Sequence, residues 1–142
     1  MRLLIALLLC VWTVCAHAQT TTLVSAPVEP DQRLFQLYES QYLSQLKQEN
    51  PTLLERWNFY LDHAWYISEL PSEKVTKKLP TVVIADLNNV NILLLEKEQN
   101  LHRDWDRQMI YRIRDTNKYL IYHSGKRFVE LFNQHRGLIS KG

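Results

Sequence analysis

The chain has 142 residues, 17 Lys+Arg against 15 Asp+Glu for a formal net charge of +2, and two cysteines. The chain carries no DNA- or RNA-binding motif, which, with the export reading below, argues against a nucleic-acid partner. Both cysteines, Cys10 and Cys15, lie in the first 18 residues, so the remainder has neither the thiols for a disulfide framework nor those for a cysteine-ligated metal.

Residues 1–18, MRLLIALLLCVWTVCAHA, read as a cleaved secretory signal. Arg2 supplies the positive start, Leu3 to Val14 form an apolar run too short to span a bilayer, and Ala16-His17-Ala18 offers a small-x-small cleavage site. Neither cysteine follows the small residues of a lipoprotein signal, and no later stretch reaches the roughly 20 apolar residues of a membrane span. The expected product is an exported protein of 124 residues, periplasmic or extracellular, without a transmembrane anchor. Asn50-Pro51-Thr52 is disqualified as a glycosylation sequon by its proline. Together with the missing cysteines, this fits a bacterial envelope better than a eukaryotic secretory route.

Residues 19–30 (QTTTLVSAPVEP) predict a flexible leader, followed by one domain over residues 31–142. Asp31 reads as an N-cap for a helix over 31–49, with Leu34, Phe35, Tyr38, Tyr42 and Leu46 on one face. Asn50 and Pro51 start a second helix that the stripe Leu54, Trp57, Leu61 and Ala64 carries to about Ser68, closing a helical hairpin. Leu70-Pro71-Ser72 breaks it. Thr81 to Ala85 reads as a short strand, and residues 88–100, ambiguous between helix and strand, are assigned to helix by their Leu, Glu, Lys and Gln content.

A β-hairpin is expected from strands 109–114 and 118–123 around Asp115-Thr116-Asn117, with Asn117 in the left-handed conformation. The predicted register opposes Arg114 to Lys118, Ile113 to Tyr119, Tyr111 to Ile121 and Met109 to His123. This puts an apolar face toward the helices and leaves Arg112, Arg114, Leu120 and Tyr122 on the other face. Ser124 then caps a last helix to about Gln134, with Phe128, Leu131 and Phe132 inward and Gly137 ending it. The expected fold is α+β, with an N-terminal helical hairpin, a small antiparallel sheet and a C-terminal helix.

Charge divides unevenly: residues 19–101 carry 7 basic and 11 acidic side chains, and residues 102–142 carry 9 and 4. The basic part could attract an anionic envelope component or an acidic protein face, although packing of the two parts against each other would neutralise both. Within it, NLHRDWDR sets Trp105 between Asp104 and Asp106, with Arg103 and Arg107 outside. Trp and Arg dominate interface energetics, so Arg103, Trp105 and Arg107, with Lys126 and Arg127 nearby, are the candidate partner-binding residues. The plainer reading is a connector whose tryptophan folds back.

Ser124, Gly125 and Lys126 form a candidate anion site if backbone N–H groups at the helix start stay free, against a simple capping role. The first glycine of a phosphate loop is missing, because position 120 is Leu120. His63, His102 and His123, with Asp62, Asp104 and Asp106, have the atoms for metal or acid–base chemistry but no ligand spacing. A Ser124, His63 and Asp62 triad lacks the nucleophile elbow, and adjacent helical residues 62 and 63 point about 100° apart. Trp57, Tyr60, Trp65 and Tyr66 spread aromatic surface over more than one side of the predicted second helix.

No motif calls for a cofactor. The reading that follows is a non-enzymatic envelope binding module. The alternatives are a small secreted enzyme or metal binder using the histidines, or a carrier of a small apolar ligand between hairpin and sheet.

Overall fold

The computed structural model describes residues 26–75 and 78–139. The signal expected over residues 1–18 and the first part of the leader lie outside these residues. The architecture is α+β: helices pack on one face of a four-stranded sheet, and a C-terminal helix closes the chain. The elements are α1 (Ser40–Glu49), α2 (Pro51–His63), β1 (Trp65–Glu69), β2 (Thr81–Val82), α3 (Ile92–Gln99), β3 (Met109–Ile113), β4 (Lys118–Tyr122) and α4 (Gly125–Ile139), with short 3-10 turns at Gln32–Gln36 and Ser72–Lys74. Sheet order is β1-β4-β3-β2.

Capping chemistry sets several boundaries. Asp31 accepts from the Arg33 N–H, but it starts the 3-10 turn rather than a long helix. Between that turn and α1, Glu39 is extended, so the expected helix over 31–49 is two pieces. The break sends Leu34 into the core while Tyr38 stacks on Trp57 at 4.8 Å. Leu43 joins Leu46 on the buried face of α1, whereas Phe35 and Tyr42 are exposed. Asn50 accepts from the Leu53 N–H and Pro51 opens α2, as cap and first-turn proline require. The end of the expected leader is held on α2: Asn58 donates to the Glu29 carbonyl and accepts from the Asp31 N–H.

α2 stops at His63 rather than near Ser68, and the next residues become β1. Trp65, Tyr66 and Ile67 suit a strand, and pairing with β4 in the register Trp65↔Tyr122, Ile67↔Leu120 and Glu69↔Lys118 decides the matter. The sheet is mixed, not purely antiparallel, because β2 pairs parallel with β3. Residues 83–108, including α3, form the crossover that a parallel pair needs. The strand expected over 81–85 shrinks to two residues.

The hairpin exists, but its register is Met109↔Tyr122, Ile110↔Ile121, Tyr111↔Leu120 and Arg112↔Tyr119, one residue away from the expected pairing. Asp115, not Asn117, takes the left-handed conformation, with φ 59°. A one-residue slip exchanges the faces of β4. Leu120 and Tyr122 therefore enter the core with Tyr111 and Ile113, while Tyr119 and Ile121 share the opposite face with Tyr66, Ile110 and Arg112. The space between the helices and the sheet is filled by Leu34, Leu43, Leu54, Leu61, Ile92, Leu120 and Tyr122, all fully buried.

α3 begins on Asn91, whose side chain accepts from the Leu94 N–H, and ends at left-handed Asn100. α4 runs past Gly137 to Ile139, with Phe128 and Phe132 buried. Among the described residues, no helix is long and apolar enough to cross a membrane.

Candidate functional site

Residues 101–108 link α3 to β3, and local hydrogen bonds give the loop one shape. At its start the Tyr111 hydroxyl accepts from the His102 N–H at 2.9 Å and donates to the His102 carbonyl at 3.1 Å. In the middle Asp104 Oδ1 accepts from the N–H groups of Asp106 and Arg107, both at 2.8 Å. These bonds favour the carboxylate, so Asp104 is held below the usual carboxyl range. The loop docks on the start of α4, where Gly125 N–H donates to the Asp104 carbonyl and Lys126 N–H to the Trp105 carbonyl.

The N–H groups of Gly125, Lys126 and Arg127, the first turn of α4, are thereby used. Arg127 N–H donates to Ser124 Oγ at 3.2 Å and Phe128 N–H to the Ser124 carbonyl. Ser124 has its capping role, and an anion at Ser124, Gly125 and Lys126 would have to displace these internal acceptors. The Lys126 ammonium is itself paired with Asp106.

Trp105 is 56% exposed, yet one edge of its indole lies on Gly125: a Cβ there would fall 2.4 Å from Trp105 Cε3. A side chain at that position would have to push the ring aside, because the indole uses the space of a Cβ. The structure thus brings Trp105, Arg107, Lys126 and Arg127 to one end of the fold. Their charges differ in availability, because Arg127 pairs with Glu130, whereas Arg107 has no ion pair among the described residues. Arg103 turns away from the other cations, its guanidinium 4.3 Å from the Tyr60 ring centroid and 6.0 Å from that of Phe128.

Beneath Arg103 lies a group that the sequence reading did not single out. Glu96 on α3 accepts a hydrogen bond from the Tyr60 hydroxyl across 36 residues of chain. The Tyr122 hydroxyl, fully buried, approaches the same carboxylate without reaching full hydrogen-bond geometry. Burial pushes the Glu96 carboxyl above its ordinary range against the opposing pull of the tyrosines and Arg103. The same burial, with the charge of Glu96, pushes both tyrosine hydroxyls up. In sequence, Glu96 looks like one polar position of an amphipathic helix. Only its place opposite Tyr60 and Tyr122 distinguishes it.

The remaining polar candidates are dispersed. Asp62 is bound by Arg33, which also grips Asp31, so it does not orient His63. His63 stacks on Phe59 at 4.2 Å and His123 lies beside Tyr66 at 5.2 Å. His102 is engaged through its backbone. Among the described residues, no three His, Cys, Asp or Glu side chains are grouped to hold a metal ion. A surface cleft of about 250 Å³ lies between the 3-10 turn and α3, lined by Arg33, Ile84, Asn89, Leu94 and Glu98 among others. The donors of Arg33 are already spent on carboxylates.

No protein-family model, curated protein or solved structure matches this chain.

Proposed function

We propose that the chain is a non-enzymatic binding module, exported to the bacterial envelope, whose contact surface is loop 101–108 with the first turn of α4. One observation carries the reading: Trp105 is a largely exposed indole on a loop whose backbone is hydrogen-bonded into a helix. An aromatic that is already ordered loses little further entropy on contact, which is the economy that interface anchors use. Arg107, two residues on, supplies a cation that forms no ion pair among the described residues, so the partner is an acidic face of another envelope protein. The residues 1–18 read as the export signal, and the chemistry of the loop calls for no cofactor.

A photoreactive amino acid at position 105, expressed in the exporting bacterium, tests this directly. The expected result is one discrete adduct in the envelope fraction, lost when Arg107 is changed to Glu, and absent when the probe sits at exposed Gln48 on α1. A cytoplasmic chain, or equal labelling from both positions, would overturn the reading.

A further inference from the structure

Arg103 belongs to the proposed contact loop yet faces inward, and the groups beneath it form a chain of contacts. The Glu96 carboxylate accepts from the Tyr60 hydroxyl, and the Arg103 guanidinium rests 4.3 Å above the Tyr60 ring. A hydroxyl that donates to a carboxylate makes its ring more electron-rich, and an electron-rich ring holds a cation more strongly. Direct attraction between Glu96 and Arg103 acts in the same sense. Three residues from three separate elements, α2, α3 and the loop, are thus coupled through one charge.

We propose that the charge on Glu96 sets how tightly Arg103, and with it loop 101–108, is held on the body of the protein. With the carboxylate ionised, Arg103 is clamped on Tyr60 and the loop keeps Trp105 in place. With a proton on Glu96, the clamp weakens and the loop loosens. The titratable and charged groups around Glu96 come from several elements: Tyr38 precedes α1 and responds to its charge, Tyr60 belongs to α2, Tyr122 to β4 with Tyr111 of β3 beside it, and Arg103 to the loop. Arg56 of α2 reaches the same area over Phe128, at 5.9 Å. Burial and the charge of Glu96 push the Tyr60 and Tyr122 hydroxyls up, away from neutrality, and phenols and guanidiniums as classes do not change charge in mild acid, so the carboxyl of Glu96 is the group that does. Burial places that change above the usual carboxyl range. The bearing on partner capture rests on the binding role of the loop; the coupling itself does not.

Hydrogen exchange on the full chain between pH 4 and pH 7 reads the clamp without any partner. The reporters are the amides of Gly125 and Lys126, which donate to loop carbonyls. Their protection factors should fall about fivefold below the Glu96 midpoint, the factor for losing a cation–π contact of about 1 kcal/mol. The step should vanish in Glu96→Gln. In Arg103→Met it should vanish while the Glu96 carboxyl still titrates, followed by its carbon NMR signal. Constant protection in the wild type, or an unchanged step in either variant, overturns the coupling. A step in protection with no adduct from position 105 at any pH supports the coupling and rejects the binding reading instead.

Discussion

Glu96 and Gly125 are the residues at which one atom more or less matters most. Glu96→Ala would strip Tyr60 of its acceptor and leave two hydroxyls buried beside a void, at a cost of about 1–3 kcal/mol. Glu96→Gln keeps an acceptor oxygen and removes the buried charge, so it should equal or exceed the wild type in stability at pH 7. Urea unfolding should rank Glu96→Ala below the parent and Glu96→Gln level with it or above it. Gly125→Ala puts a methyl where Trp105 Cε3 lies. Overpacking costs about 1–3 kcal/mol, partly offset by the better helix propensity of alanine. A net loss of about 1 kcal/mol is expected, and it should disappear in the Trp105→Ala background; a double-mutant cycle measures that coupling.

Among the elements, α3 depends most on one side chain. Asn91 caps the helix, and its amide also donates to the Arg33 carbonyl and to Gln36 Oε1. It therefore ties the helix start to the 3-10 turn. Asn91→Ala should cost about 1–2 kcal/mol, the upper part of the range for cap removal, against a few tenths for an exposed change such as Gln48→Ala. Thermal unfolding of both variants checks the contrast. The crossover carrying α3 also explains why β2 is brief. Gln99 donates to the Val83 carbonyl and accepts from the Val83 N–H, so a side chain takes over where a longer strand would continue.

For the molecule as a whole, stability against pH should reflect opposed groups. His123 is held below its ordinary 6.5 by burial and by Arg127, so it withdraws stability as pH falls from 6.5 through its folded pKa. Asp31, depressed by Arg33, and Asp104, depressed by its backbone donors, withdraw theirs as pH falls from 3.8. Glu96 acts in the other direction. Its raised folded pKa contributes stability that is complete below 4.5 and is lost as pH rises through the folded value. Urea midpoints followed from pH 4.5 upward should therefore rise more steeply with pH in Glu96→Gln than in the wild type. Identical slopes would mean that Glu96 is not perturbed.

Much of the architecture is written in local signals: Asn50-Pro51, the leucine spacing of α2, the assignment of 88–100 to helix, and Ser124 at the start of α4. These act within a turn or two of backbone, so the amino-acid order alone determines them. The export proposal likewise rests on residues 1–18 alone, which lie outside the described structure. Tertiary contacts decided the rest. Residues 65–69 satisfy a helical stripe and a strand equally well, and pairing with β4, 49 to 57 residues away in sequence, selects the strand. The hairpin register turns on which face of β4 meets the core, a choice that period-two alternation leaves open when both faces are apolar. The candidate site divides in the same way. Trp105 stands out in sequence by its charged neighbours, but its seat on Gly125 does not, and Glu96 becomes special only where α2, α3 and β4 converge to desolvate it.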